Sequence, residues 1–165
     1  MGVAPGRRRP GAEVVIGVGN RFRRDDAAGL EVARALRARE VGRDFAVREE
    51  EGETLALLDV WEGARAAVLV DAVCSGAEPG TVHRIDVSRQ GLPEGVRSST
   101  STHAVDLAGT IELARALGRL PARVVVFGIE GRRFDAGEGL SPEVRAAVER
   151  VAASVLGEAR ELLRA

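Results

Sequence analysis

The chain has 165 residues and a net charge of −1, and its 24 basic residues are all arginine. With 45% hydrophobic and 30% charged residues, the composition is that of a folded domain and excludes a disordered or membrane-embedded chain. The absence of a basic excess argues against a nucleic-acid or anionic membrane partner. The single cysteine, Cys74, excludes an intrachain disulfide framework and a cysteine-rich zinc site.

The N-terminal segment 1–11 is rich in Gly, Pro and Arg, and we expect it to be a disordered leader before a single domain at residues 12–165. Arg7–Arg9 would suit the start of an export signal, but such a signal also needs an apolar stretch of roughly 7–15 residues. Only Val14–Val18 follows, and that run is better explained as a core strand. No apolar run approaches the roughly 18 residues that span a bilayer, so we expect a cytoplasmic protein.

The first predicted elements are a strand, a sharp turn and a helix. Glu13–Val18 is a short apolar run that leads into Gly17-Val18-Gly19-Asn20, which is typical of a strand followed by a turn. Asp25 and Asp26 suit the first turn of the next helix, because carboxylates there meet exposed N–H groups and the positive end of the helix dipole. The helix then presents one apolar face, made of Ala28, Val32, Ala35 and Leu36.

The middle of the chain predicts alternating strands and helices. Ala66–Val70 is continuously apolar, as expected for a strand covered on both faces, and we place its end at Asp71. Ser88–Thr102 is polar and irregular. The other predicted elements are, in order, a strand at Phe45–Glu50, a helix at Thr54–Glu62, a strand at Thr81–Val87, a helix at His103–Leu117 and a strand at Val124–Phe127.

The last predicted element is a long amphipathic helix. Ser141 is a good N-cap, Pro142 fits the first helical position, and Glu143 complements the helix dipole. A sustained apolar stripe follows, formed by Val144, Val148, Val151, Val155, Ala159 and Leu162.

Alternating strands and helices predict an α/β fold, a three-layer αβα sandwich around a mixed, mainly parallel twisted sheet of about five strands. Only about nine residues separate Asp71 from the Thr81–Val87 strand, whereas a parallel crossover takes a dozen or more. We therefore expect that strand to be antiparallel. The Ser88–Thr102 segment must then carry the chain back to bring His103 near Asp71, and fifteen residues at up to about 3.3 Å each can do so.

Ligands of open α/β sheets usually bind beyond the carboxyl ends of the parallel strands, where Asp26 and Asp71 are predicted to lie. An aspartate that closes an apolar strand is costly unless a positive or hydrogen-bonding group meets it, although Asp71 could also serve as a structural cap. His103 is predicted at a helix start, which keeps an imidazole neutral, as a metal ligand must be. Two carboxylates and one imidazole suit a borderline divalent ion such as nickel or zinc. His83 shares a strand face with Ile85 and Val87, and we interpret it as structural.

Three motifs resemble those of the nickel-iron hydrogenase maturation endopeptidases. The first runs from Gly17 to Gly29 and contains G-x-G-N, a short spacer, D-D and a glycine three residues on. The second is Val70-Asp71-Ala72 followed by Pro79-Gly80-Thr81, and the third is Ser101-Thr102-His103 at the head of an apolar helix. They occur in the order and spacing of that family, and the likeness covers roughly Glu13 to Leu163.

The resemblance implies a hydrolase that removes a C-terminal extension from a hydrogenase large-subunit precursor after nickel has been inserted. It implies that Asp26, Asp71 and His103 are the nickel contacts and the catalytic residues, with the nickel supplied by the precursor rather than bound permanently. We expect a monomer with no nucleic-acid or membrane partner. The chain departs from the family where it has Asp26 instead of a glutamate found in some members, and where Glu51-Gly52-Glu53-Thr54 replaces a D-G-G-T-like motif involved in substrate engagement.

Other readings of the same residues remain open. A dinucleotide-binding turn would need a third glycine at position 22, where the chain has Phe22. Peptidyl-tRNA hydrolases also begin with a G-x-G-N turn, but they carry a histidine-asparagine pair near the position of Asp25-Asp26. A cysteine hydrolase could use Cys74 and His103, although a lone cysteine after a buried strand is usually part of the core. A non-catalytic nickel sensor or chaperone that binds a metallated partner fits the same residues.

Overall fold

The protein is described by a computed structural model at residues 12–39, 45–51, 54–98 and 107–165. The predicted leader at residues 1–11 and His103 lie outside these residues. None of the helices in the described part of the chain is long and apolar enough to cross a membrane. The elements are, in order, β1 (Glu13–Val18), a 3-10 turn (Arg24–Ala27), α1 (Ala28–Ala38), β2 (Ala46–Glu50), α2 (Thr54–Trp61), β3 (Ala66–Cys74), β4 (Val82–Asp86), β5 (Arg97–Ser98), α3 (Leu107–Ala116), β6 (Arg123–Glu130) and α4 (Pro142–Arg164).

The main sheet has the strand order β2-β1-β3-β6-β4. The pairs β1–β2, β1–β3 and β3–β6 are parallel, and β4 pairs antiparallel with β6. This confirms the predicted mixed, mainly parallel sheet of about five strands. The antiparallel direction of β4 follows from its short connection to β3, which leaves no room for a crossover helix.

In the described part of the chain, two helices cover each face of the sheet. On one face, α1 and α4 pack together over Val68, Val70 and Ala72 of β3. On the other face, α2 and α3 pack over Ala67 and Leu69 of the same strand. Since successive side chains of a strand point to opposite faces, a strand between two helical layers must be apolar throughout. The predicted three-layer sandwich is therefore confirmed.

β3 is longer than predicted, and this changes where Asp71 and Cys74 lie relative to the end of the strand. The strand continues to Cys74, so the prediction that it ends at Asp71 is wrong, and Asp71 lies inside it. Pairing explains the extra length, because β6 runs beside β3 as far as Glu130 and β5 pairs with Val73 and Cys74. Cys74 is exposed at the end of the strand, so the expectation that it belongs to the core is also wrong.

The segment after β4 returns to the carboxyl end of β3. Ser98 pairs with Val73 and Arg97 pairs with Cys74 in the short antiparallel strand β5. The chain therefore comes back toward Asp71, as its length and polarity predicted for Ser88–Thr102. Residues 99–106, which include His103, lie outside the described residues.

Candidate active site

Asp26 is carried by the 3-10 turn between β1 and α1 and is fully buried. Its backbone N–H donates to the carbonyl oxygen of Arg23 at 3.1 Å, and its own carbonyl oxygen accepts from the backbone N–H of Asn20 at 3.2 Å. A Cβ atom at Gly19 would lie 1.9 Å from that carbonyl oxygen. The turn therefore closes on Asp26 only because position 19 has no side chain, which accounts for the second glycine of the first motif.

Gly29 brings the start of α1 onto the ends of two strands. A Cβ atom at Gly29 would lie 2.2 Å from the carbonyl oxygen of Val70 and 2.4 Å from that of Val18. Helix and strands can approach this closely only at a glycine. Asp26 is three residues before Gly29, and Asp71 directly follows Val70. The 3-10 turn contacts β3, so the two buried aspartates lie on contacting elements at the carboxyl edge of the sheet.

Asp71 is 1% exposed and lies beside Gly128 of β6. By the two-residue period of a strand, it is on the same face as Ala67 and Leu69, whose side chains pack under α2 and α3. Leu107, at the start of α3, is buried in that same core. The face of the sheet that carries Asp71 is therefore the face that α3 covers.

Asp25 holds the loop at residues 131–141 against the turn that carries Asp26. Its carboxylate accepts hydrogen bonds from the backbone N–H groups of Arg132 (2.8 Å), Arg133 (2.9 Å) and Ser141 (2.6 Å), and from the Ser141 hydroxyl (2.7 Å). Three of these donors meet Oδ2 and one meets Oδ1, so both oxygens of the carboxylate are hydrogen-bonded. Burial by itself raises the pKa of Asp25, but these hydrogen bonds outweigh it and hold the pKa below its ordinary value.

The start of α4 depends on Asp25 in a way that sequence reasoning missed. The helix begins at Pro142 as predicted, but the Ser141 hydroxyl makes no capping hydrogen bond to the helix and donates to Asp25 instead. Ser141 is thus the N-cap residue, as predicted, but its hydroxyl does not make the hydrogen bond that usually accompanies that position. The tertiary contact wins because it satisfies a buried charge, for which an unmade hydrogen bond costs more than for an exposed helix end.

Two loops form one surface at the rim of this edge. The backbone N–H of Arg24 donates to the carbonyl oxygen of Gly137 at 3.0 Å, and the N–H of Gly137 donates to that of Phe22 at 2.8 Å. The Arg23 guanidinium donates to the carbonyl oxygen of Phe134 at 3.1 Å. Phe22 remains 59% exposed. These backbone contacts hold the 20–24 turn and the 134–137 loop together at the rim.

Glu130, at the end of β6, was not predicted as a site residue. It is 2% exposed and accepts from the backbone N–H of Ser75 (2.7 Å), the Ser75 hydroxyl (2.8 Å) and the N–H of Gly76 (3.1 Å). His83 Nε2 lies 3.3 Å from the same carboxylate, in agreement with a structural role for this histidine. Burial tends to raise the pKa of Glu130, but the hydrogen bonds from Ser75, His83 and Gly76 lower it overall. Glu130 thus fixes the turn that follows β3.

The structure describes two of the three predicted site residues. Asp26 and Asp71 lie on contacting elements, while His103 lies outside the described residues. Within the described ranges, His, Cys, Asp and Glu side chains form no group of three or more that could hold a metal ion. The described part of the chain therefore contains two of the three predicted ligands, and the role of all three remains a prediction.

The mainly parallel sheet defines an α/β fold, and its two buried acids lie at the carboxyl edge, where ligands of such sheets usually bind. A family model described as hydrogenase maturation protease matches residues 52–158. A provisionally named hydrogenase maturation protease of Methanocaldococcus jannaschii is 31% identical over 153 residues, which cover 90% of this chain and 96% of that protein. The chain belongs to the hydrogenase maturation protease family and is a hydrolase.

Further relatives agree with this assignment. The hydrogenase 2 maturation protease of Escherichia coli is 27% identical over 150 residues, covering 90% of each chain. The solved structure of a hydrogenase maturating endopeptidase from E. coli superposes with a TM-score of 0.74 at 25% identity, covering 91% of this chain and 93% of that one. A coenzyme F420 hydrogenase subunit delta of Methanothermobacter thermautotrophicus is 27% identical over 160 residues, which cover 88% of this chain and 92% of that protein.

Proposed function

We propose that this protein is the endopeptidase that removes a C-terminal extension from the nickel-loaded large-subunit precursor of a nickel-iron hydrogenase. In this proposal Asp26, Asp71 and His103 contact the nickel ion and form the catalytic centre. The observation that carries the proposal is the burial of Asp26 and Asp71 on contacting elements at the carboxyl edge of the sheet.

The ligand chemistry supports nickel. Two carboxylates and one neutral imidazole form an oxygen and nitrogen set that suits a borderline divalent ion. A divalent ion also offsets the cost of burying negative charge at Asp26 and Asp71. Both aspartates are held by backbone rather than by mobile loops, since one follows a glycine-dependent turn and the other lies inside a strand.

The elements on either side of residues 99–106 support the position proposed for His103. Ser98 pairs with Val73, two residues after Asp71. Five residues can span at most about 16 Å, so His103 is within reach of that strand end. Leu107 then begins α3 on the face of the sheet that carries Asp71. The described residues on either side of the segment thus lie at the end of the strand and on the face of the sheet that carry Asp71.

The nickel is part of the substrate in this proposal. Three ligands without a thiolate hold a metal less firmly than the four-ligand sites of structural zinc. The remaining coordination positions can be filled by ligands of the precursor. The enzyme would then bind tightly only to a precursor that already contains nickel, which makes metal insertion the checkpoint before cleavage. Once bound, the ion can polarise the scissile carbonyl or lower the pKa of a water, with Asp26 or Asp71 as a base.

The test is to incubate the protein with nickel-loaded and nickel-free precursor and to follow the precursor mass. We expect loss of the C-terminal extension only from the nickel-loaded form. Asp26→Ala and His103→Ala should abolish processing, by about a thousandfold or more if the ion is catalytic. Asp26→Asn and Asp71→Asn keep the side-chain volume and isolate the loss of charge.

His83→Gln is the matched control for His103, because these are the two histidines of the chain. It should retain processing, since His83 contacts Glu130 and Ser75 rather than the predicted nickel site. Unfolding curves should show that the variants remain folded. Equal cleavage of nickel-free precursor, or full activity of His103→Ala, would show that the proposed recognition of nickel is wrong.

A second candidate function is nickel-dependent binding without cleavage. It is favoured by the relative that is named as a hydrogenase subunit rather than a protease. The same experiment separates the two functions, because a binding protein would form a stable complex with nickel-loaded precursor whose mass does not change.

A further inference from the structure

A groove opens between α1 and α4 beside the residue that follows Asp26. One compartment of about 370 Å³ is lined by Ala27 and Glu138, and a second of about 410 Å³ extends along the helices to Ala38. Both compartments are lined by Arg34, Leu140 and Arg145, so they form one continuous depression, here called the α1–α4 groove. The groove thus leads away from the proposed catalytic centre.

The floor and the length of the groove suit an extended peptide. Ala27, Ala35 and Ala38 are small, so a peptide backbone can lie close to the helices. Ser141 contacts Asp25, and Arg145 follows one turn later in α4, about 6 Å farther along the helix axis. An extended chain covers about 3.3 Å per residue, so about two residues of a bound peptide span the distance from Ser141 to Arg145.

Most charged side chains of the groove are already paired. Arg21 pairs with Glu51, and Arg34 pairs with Glu31. Glu149, in the outer compartment, pairs with Arg39. These groups are neutralised by the protein itself and add little net charge to the groove.

Two charged side chains of the groove are unpaired within the described residues. Neither the Glu138 carboxylate nor the Arg145 guanidinium has an ion-pair or hydrogen-bond partner among them. Glu138 lines only the compartment that contains Ala27, whereas Arg145 lies where the two compartments meet. A segment that leaves the catalytic centre therefore meets a negative charge first and a positive charge second.

We propose that the α1–α4 groove binds the precursor segment on the C-terminal side of the cleaved bond. The segment lies extended along the groove, with a basic side chain on Glu138 and, a few residues later, an acidic side chain on Arg145. This inference rests on the proposed function, and it assigns these two residues the role of selecting the precursor by the order of charges in its extension.

The first test uses two synthetic peptides of identical composition, in which a lysine and an aspartate are separated by three Gly or Ser residues. One peptide has the lysine first, and the other has the aspartate first. NMR shift changes of ¹⁵N-labelled protein should report binding of the lysine-first peptide at residues 27–38 and 138–149. The aspartate-first peptide should bind at least about threefold more weakly. Equal shifts with both peptides, or shifts confined to other regions, would overturn the inference.

The second test uses Arg145→Glu with nickel-loaded precursor. KM should rise about three- to tenfold while kcat stays unchanged, because the lost contact acts on binding and not on the reacting bond. Arg160→Glu is the matched control, since Arg160 is exposed on the same helix, away from the groove, and has no ion-pair partner among the described residues. That variant should retain the KM of the unaltered protein.

The two tests separate failure of the inference from failure of the proposed function. If the unaltered protein cleaves the precursor and Arg145→Glu has the same KM, the groove assignment is wrong and the proposed function stands. If the protein does not cleave any nickel-loaded precursor, the proposed function is wrong, and the peptide experiment still decides whether the groove reads charge order.

Discussion

Asp25 and Asp26 are adjacent in sequence and are both fully buried. The carboxylate of Asp25 is committed to the 131–141 loop and the start of α4 by four hydrogen bonds. Because both of its carboxylate oxygens are engaged by these donors, we assign Asp25 a structural role, and Asp26 is the acid of the pair that we assign to nickel. A single buried carboxylate therefore couples the turn beside the site to a segment more than a hundred residues later.

At the residue scale, we expect Asp25→Asn to lower the free energy of unfolding by about 2–4 kcal/mol at pH 7, since it replaces a buried acceptor of four hydrogen bonds with an amide. The pKa of Asp25 is lowered in the folded state. Its contribution is therefore complete above the unfolded pKa of about 4 and is lost as the pH falls through the folded pKa. Urea unfolding at pH 7, 5 and 3 measures the free energy of unfolding of the unaltered protein and of the variant. The difference between these two free energies should be smaller at pH 3 than at pH 7.

Asp59→Asn is the control for that experiment, because the Asp59 side chain is 74% exposed and its one ion pair among the described residues is a surface contact with Arg119. Its effect should stay below about 1 kcal/mol at each pH. An equally large effect of Asp25→Asn at pH 7 and pH 3 would contradict the assignment of an ionised carboxylate.

At the scale of elements, the site depends on how closely α1 approaches β1 and β3. Gly17 and Gly29 make this approach possible, since a Cβ atom at Gly17 would lie 2.2 Å from the carbonyl oxygen of Gly29. The glycines of the first motif are therefore packing residues, and they fix where the Asp26 turn sits on the sheet. This differs from a phosphate-binding loop, in which glycines open the backbone to an anion.

We expect Gly29→Ala to destabilise the protein by about 1–3 kcal/mol, because the new Cβ overlaps the backbone oxygens of Val18 and Val70. Gly157→Ala is the matched control in α4, where an added Cβ would meet nothing within 4 Å. That substitution should stabilise the protein by about 0.4–1 kcal/mol, as glycine is unfavourable inside a helix. Thermal or urea unfolding of the two variants should give shifts of opposite sign, and shifts of the same sign would refute the packing role.

At the scale of the whole molecule, the proposed function requires that the precursor complete the site. The carboxyl edge of the sheet carries two buried acids, a braced rim with an exposed Phe22, and the mouth of the α1–α4 groove. These features suit a protein substrate better than a small molecule, because they are spread along one edge rather than gathered in one closed cavity.

The protein purified without added nickel should therefore contain well under one metal ion per chain. The physical reason is that three ligands without a thiolate leave the ion weakly held until the precursor supplies the rest. Elemental analysis before and after dialysis against a chelator measures this directly. A stoichiometric metal ion that survives dialysis would show that the enzyme brings its own metal, and the proposed checkpoint would be wrong.

Local pattern in the sequence was sufficient to predict the architecture and to place Asp26 and Asp71 at the carboxyl edge of the sheet. A continuous apolar run such as Ala66–Val70 predicts a strand that is covered on both faces. The apolar stripe from Val144 to Leu162 predicts a long helix packed on one face, because the buried positions of such a helix recur every three to four residues. The nine-residue connection after Asp71 predicted an antiparallel β4 from chain length alone. The resemblance of three motifs, in their order, indicated the family that the comparisons then showed.

Only the tertiary structure decided the roles that depend on partners distant in sequence. Nothing in an Asp-Asp pair tells which carboxylate is structural, since the donors to Asp25 lie at Arg132, Arg133 and Ser141. The same holds for Glu130, whose partners are near Ser75, and for the continuation of β3 beyond Asp71, which requires β5 and β6 beside it. Sequence patterns indicate which residues are buried and whether a segment has helical or strand periodicity. Hydrogen-bond partners and the ends of strands depend on which distant segments the folded chain places next to them.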